Sequence, residues 1–135
     1  MSVVLDTGIV YAAFDRTDGW HPRARDLLGN ERGMLVLPAP VIPEVDYLLL
    51  KRMGPAAQMK FYRVLASGDY FIADLARERY RRIEELNRTF SSLSLGFVDA
   101  AVVAISESLG LPRIATTDRR HFTPMAAALS LELLP

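Results

Sequence analysis

The chain has 135 residues, 50% hydrophobic and 24% charged, a balance that excludes a disordered polymer and suits one globular domain over residues 1–135. Sixteen basic residues offset sixteen acidic ones, so any attraction to a polyanion or anionic membrane must come from a local patch. Cysteine is absent and histidine occurs twice, which excludes disulfides, thiolate chemistry and a His-rich zinc site, and leaves oxygen ligands for any metal. No uncharged apolar stretch approaches the ~20 residues of a membrane span, and Asp6 interrupts any leader-like start, so the expectation is a cytoplasmic protein.

Val3–Leu5 is a short apolar run that predicts a strand ending at Asp6, followed by a short helix over Thr7–Phe14. Gly19–Leu28 predicts a second helix, with Pro22 accommodated in its first turn. Gly33 resets the chain before a strand at Met34–Leu37. Val41–Met53 is helical, with Val41, Val45, Leu48, Leu49 and Arg52 sharing one face. Gly54-Pro55 stops that helix and opens another over Ala56–Ala66, whose face is assigned to Met59, Tyr62 or Arg63, and Ala66. Tyr70–Ile72 predicts a third strand.

Asp74–Phe90 carries Leu75, Arg79, Ile83, Leu86 and Phe90 in near-helical register. Ser91–Gly96 is a polar loop, and Phe97–Leu109 is a helix apolar enough to be deeply buried. Arg113–Thr116 predicts a fourth strand and Leu129–Leu134 a last one. Strands alternating with helices argue for an α/β fold, a parallel twisted sheet covered by helices. Functional residues should then lie at the carboxyl ends of the strands.

Four acidic residues meet that demand. Asp6 follows the first strand, Asp118 follows the fourth, Glu44 opens the helix after the second, and Asp99 lies in the first turn of the buried helix. Each has a local alternative: Asp6 suits an N-cap, Asp118 a turn, and Glu44 a favourable interaction with the helix dipole. Asp99 is harder to dismiss, because it interrupts Gly-Phe-Val-Asp-Ala-Ala-Val-Val-Ala-Ile, the most apolar run in the chain. A charge there is either paired or coordinating. Two carboxylates ~6 Å apart repel by roughly 3 kcal/mol at an effective dielectric of about 20, and a divalent cation would relieve that repulsion. Oxygen ligation points to Mg²⁺, with Mn²⁺ as a substitute.

Val-Val-Leu-Asp-Thr, Pro-Glu-Val-Asp-Tyr-Leu-Leu, Gly-Phe-Val-Asp-Ala-Ala-Val-Val-Ala and Ile-Ala-Thr-Thr-Asp-Arg-Arg-His-Phe, in this order and spacing, resemble PIN-domain ribonucleases. The likeness is to the VapC toxins of type II toxin–antitoxin pairs and runs from about residue 2 to residue 134. It implies a PIN-like single domain with the acidic quartet at Asp6, Glu44, Asp99 and Asp118 as catalytic and metal-binding residues. Thr116 falls at the hydroxyl position two residues before the last Asp, and Thr7 at the small polar position after the first. The resemblance further implies an Mg²⁺- or Mn²⁺-dependent endoribonuclease acting on RNA. It also implies a homodimer and a cognate VapB-type antitoxin that joins it in a hetero-oligomer.

Asp46 lies about 200° around the helix from Glu44, so both cannot face one site. Glu44 fits the motif better, with Asp46 as its substitute. Phe97 and Val98 precede Asp99 where many relatives carry a polar residue.

A different class of function is a catalytically silent PIN fold that binds RNA or protein, which would show decay of the quartet; all four positions are intact. A phosphoacceptor domain would want a lysine after a late strand, whereas Lys51 and Lys60 are both on helices. Arg119, Arg120 and His121 suit either a solvated turn or contacts to RNA phosphates. Trp20, His21 and Tyr11 suit either packing or stacking on an unpaired base. The arginines between Arg77 and Arg88 are interleaved with Glu78, Glu84 and Glu85 at pairing distances along a helix.

Overall fold

The computed structural model describes residues 1–135. Five strands, β1 (Val3–Leu5), β2 (Leu35–Pro38), β3 (Phe71–Ala73), β4 (Arg113–Ala115) and β5 (Glu132–Leu134), form one parallel sheet in the order β3-β2-β1-β4-β5. The helices are α1 (Thr7–Phe14), α2 (His21–Asn30), α3 (Val41–Met53), α4 (Pro55–Ser67), α5 (Tyr80–Thr89), α6 (Gly96–Leu109) and α7 (Arg119–Leu129). The parallel, helix-covered α/β sheet expected from the alternation is the one the chain forms.

β1 is central and wholly buried, as a strand of Val-Val-Leu with no polar member should be when it is covered on both faces. From β1 the chain adds β2 and β3 on one side, then returns to add β4 and β5 on the other. The order therefore reverses between β1 and β4, and ligands of open α/β sheets bind outside the carboxyl ends at such a point. Asp6 continues the ladder there, donating its backbone N–H to the Ala115 carbonyl at 2.9 Å.

α6 packs across β1 and β2 and buries every residue from Ala100 to Ser106. No side chain caps its first turn; instead Asn87 of α5 clamps Gly96, accepting its N–H at 2.9 Å and donating to its carbonyl at 3.1 Å. Gly96 has φ +83°, a left-handed conformation that only glycine adopts without strain. This clamp sets where α6 begins, and so where Asp99 projects.

Several expectations need correction. The helix assigned to Asp74–Phe90 starts later: Arg77–Arg79 is a 3-10 turn and α5 begins at Tyr80. Its charges pair partly with a neighbour, since Arg82 binds Glu107 of α6 through two nitrogens at 2.8 and 2.9 Å. The face assigned to α4 is the outward one: Met59 and Tyr62 are exposed, while Phe61 is buried with its ring edge-to-face on Phe14. Ala57, Val64 and Leu65 share that inner face at helical spacing. The segment after Asp118 is not a turn but α7, with Phe122 and Met125 buried. Pro124 and the polar first turn hid that helix. Glu132–Leu134 is all that remains of the strand expected from Leu129.

Candidate active site

Asp6 is the most buried carboxylate, 3% exposed, at the end of β1. It occupies the N-cap position of α1, yet its side chain caps nothing. Instead it accepts a hydrogen bond at 2.8 Å from the Thr116 hydroxyl, beyond the end of β4. Thr116 Oγ1 accepts in turn from the backbone N–H of Asp118 at 2.9 Å. One buried hydroxyl thus links the chain after β1 to the loop that carries Asp118.

Asp118 has two roles. Its Oδ1 caps α7 by accepting the His121 N–H at 3.1 Å, and its Oδ2 lies 2.9 Å from His121 Nδ1. The turn expected at Asp118 is the N-cap of α7. Asp99, 17% exposed on the first turn of α6, places Oδ2 2.7 Å from the same imidazole nitrogen. Glu44, exposed at the start of α3, accepts from the Thr7 hydroxyl at 2.6 Å.

The three aspartates act on one another electrostatically. Burial first, and the charge of Asp99 second, push Asp6 up to about 7; the Thr116 hydrogen bond offsets this only in part, and Asp118 adds a smaller repulsion. Burial also raises Asp99 most, with Asp118 and Glu44 adding to it and His121 opposing. The structure therefore gathers Asp6, Asp99 and Asp118, with Thr116 between two of them, and sets Glu44 near enough for its charge to be felt at Asp99. Asp46 does not join them. It turns to α4, where Gln58 and Tyr62 donate to its Oδ1.

The donor set, two carboxylates and an imidazole, fits a divalent cation. Asp99, Asp118 and His121 offer three ligand atoms within 4.8 Å of one another, and buried carboxylates that resist ionising together gain most from a positive charge. His121 was the residue that sequence reasoning left as a turn. The available signal was the helical spacing of Phe122, Met125 and Leu129, which sets His121 on the first turn of α7, three residues after Asp118. Asn87, which fixes the start of α6, carries no sequence signal.

Basic side chains stand close by. Arg119 lies 5.7 Å from the centroid of the Trp20 ring and Arg23 lies 3.9 Å from it, so the indole is bracketed by guanidinium groups. Trp20 is half-buried against the core, as the packing reading has it. Of the other two aromatic residues weighed for stacking, Tyr11 is buried and His21 is held by the Ala12 carbonyl. A cleft of about 700 Å³ lies elsewhere, at the amino ends of β2 and β3, and is lined by Phe14, Met34, Lys60 and Tyr70. It contains none of the quartet, and its mixed lining converges on no reactive group.

The sequence matches the PIN domain family model over residues 3–127. Ribonuclease VapC26 of Mycobacterium tuberculosis is 27% identical over 123 residues, 91% of each chain. Among solved structures, M. tuberculosis VapC20, described as a Sarcin-Ricin loop cleaving toxin, superposes with a TM-score of 0.83 at 20% identity, covering 98% of this chain and 99% of that one. VapBC2 from Rickettsia felis, bound to a DNA fragment from its promoter, gives 0.72 at 18% identity, covering 98% and 97%. FitAcB from Neisseria gonorrhoeae gives 0.67 at 15%, covering 98% and 96%. With a family match across nearly its whole length and an acidic cluster at the switch point of the matching fold, the chain belongs to the PIN-domain family.

Proposed function

We propose that this protein is the toxin of a type II toxin–antitoxin pair, an Mg²⁺- or Mn²⁺-dependent endoribonuclease that hydrolyses RNA phosphodiester bonds. The observation that carries this reading is the meeting of Asp99 and Asp118 on His121 at the switch point, with the buried Asp6 carboxylate tied to the same loop through Thr116 and feeling the charge of Asp99. Asp6, Asp99 and Asp118 would hold the cation, with Glu44 completing the acidic pocket. Bound there, the cation supplies Lewis-acid polarisation of the phosphate and a water of lowered pKa.

The chain's own residues do the rest. Thr116 orients Asp6 through a short, fully buried hydrogen bond, so the innermost carboxylate is preorganised. Asp6, its carboxyl pushed up to about 7 by burial, would give up its proton to hold a cation near neutral pH. Thr7 steadies Glu44, whose exposed carboxylate would complete the acidic pocket. Arg119, next to Asp118 in sequence and near the Trp20 ring, donates to the Pro135 carbonyl and would contact RNA phosphate with its remaining N–H groups. A VapB-type antitoxin is the partner, as the likeness to VapBC and FitAB assemblies suggests, and the toxin works in the cytoplasm as a homodimer.

The deciding experiment incubates purified protein with single-stranded RNA in Mg²⁺, in Mn²⁺ and in chelator, beside Asp6→Asn and Asp99→Asn. Internal cleavage that needs both the cation and the two aspartates supports the reading. Cleavage that persists in chelator, or equally in both variants, overturns it.

A further inference from the structure

We propose that His121 is a nitrogen ligand of the cation and biases this site towards Mn²⁺ over Mg²⁺. The inference rests on the metal-dependent reading above and adds to it a donor outside the acidic quartet.

The imidazole sits where a ligand should. Its Nδ1 is 2.7 Å from Asp99 Oδ2 and 2.9 Å from Asp118 Oδ2, joining side chains from two different helix starts. Only the Asp99 contact has hydrogen-bond geometry, so the close approach of Asp118 Oδ2 is not accounted for by a ring N–H aimed at it. Three electron-rich atoms therefore converge around one proton. Donors at ~2.1 Å from an octahedral ion, at right angles to each other, are ~3 Å apart, so these two separations match edges of a coordination shell. The ring is also held in place: it is 20% exposed, and its own backbone N–H is anchored on Asp118 Oδ1 at 3.1 Å.

A simple strut, donating its proton to hold two carboxylates together, would behave differently. It would compete with an incoming cation, and its removal would leave affinity unchanged or improved. A ligand loses the proton from Nδ1, takes the cation there, and keeps N–H on Nε2. The chemical consequence is selectivity. Mg²⁺ prefers oxygen donors and retains water, whereas imidazole nitrogen favours first-row transition ions. An all-carboxylate site has no such lever.

The test uses the full chain, stripped with chelator and titrated separately with MnCl₂ and MgCl₂ by calorimetry at pH 7.5. Pulsed electron paramagnetic resonance of the Mn²⁺ complex then reads nitrogen-14 coupling directly. Wild type should show that coupling and His121→Gln should lose it, with Mn²⁺ affinity falling by about 10-fold or more and Mg²⁺ affinity much less. His21→Gln should keep the coupling, because His21 is bound to the Ala12 carbonyl. Mn²⁺ binding to wild type without nitrogen coupling overturns the inference and leaves the metal-dependent reading standing. Equal or tighter binding of both ions to His121→Gln, with circular dichroism unchanged, also overturns it and identifies the strut. Failure of wild type to bind either ion overturns both readings.

Discussion

The Thr116 hydroxyl donates to Asp6 Oδ2 at 2.8 Å, across 110 residues of sequence and with both side chains buried. The same oxygen accepts the Asp118 N–H, so removing it breaks two bonds at once. Thr116→Val keeps the shape and leaves a buried carboxylate and an amide without their partner, at a cost of about 1–3 kcal/mol. Asp6 would also lose the bond that lowers its pKa and would bind cations more weakly near neutrality. Thr116→Ser should restore most of both properties. Chemical denaturation and metal titration of the two variants check this; a Val variant indistinguishable from Ser would remove Thr116 from the site.

Asp6→Asn and Asp99→Asn should each lower RNA cleavage by at least ~100-fold, about 2.7 kcal/mol of barrier. Neither should destabilise the metal-free protein, because each removes a charge that burial opposes most, with nearby carboxylates adding to it. Only Thr116 and the Thr7 backbone at Asp6, and His121 at Asp99, favour the charge. Melting temperatures without metal should be equal to or above wild type. With saturating Mg²⁺ or Mn²⁺ the order should reverse, since only wild type gains fully from the ligand. Wild-type cleavage rates in both variants would remove these carboxylates from the reaction.

The pH dependence follows from the same burial. Asp6 titrates at about 7 in the folded chain, against about 3.9 when unfolded. The folded state therefore holds a proton that the unfolded state has already lost. The resulting stability is fully present below pH ~4 and is lost as pH rises through about 7, on the order of 4 kcal/mol as an upper bound. Asp99, also raised, acts in the same direction. Metal-free wild type should thus melt at a lower temperature at pH 7.5 than at pH 5, and Asp6→Asn should flatten that slope. Identical slopes in the two proteins would show that Asp6 ionises normally.

Sequence patterning made some of this site visible and hid the rest for identifiable reasons. Asp99 stood out because a charge in so apolar a helix demands a partner, and Asp6 because it ends a strand of Val-Val-Leu. Helical phase allowed only one of Glu44 and Asp46 to face the site and the motif favoured Glu44; in the structure Asp46 turns to Gln58 and Tyr62. His121 was missed with α7, since Pro124 and three polar residues at the start mask its periodicity. The α4 face was misread because Met59 and Tyr62 are as apolar as the buried set, and only packing of Phe61 on Phe14 separates them. Asn87 clamps Gly96 through backbone groups, which no spacing rule reveals.

The last prediction concerns the antitoxin. Tyr47, Leu50 and Met53 on α3, with Met59 and Tyr62 on α4, leave large apolar side chains exposed, from 40% for Tyr62 to 59% for Tyr47. This is the surplus expected from the composition of these helices, and contiguous apolar surface of this kind marks a binding face. The α3 stripe begins one turn after Glu44, so a helical segment lying along it can reach the acidic mouth with a basic side chain. That cation would satisfy the carboxylates that otherwise need a metal. Leu48 is a poor probe because it packs against the core, but Leu50 is exposed and separates binding from folding. Leu50→Asp should weaken antitoxin binding by about 30-fold or more, the scale of an interface hot spot, and Asp99→Asn by a smaller but measurable factor. Calorimetry of both variants against purified antitoxin, after circular dichroism confirms folding, is the measurement. Unchanged affinity in both would mean that the partner docks away from α3 and inhibits without entering the acidic pocket.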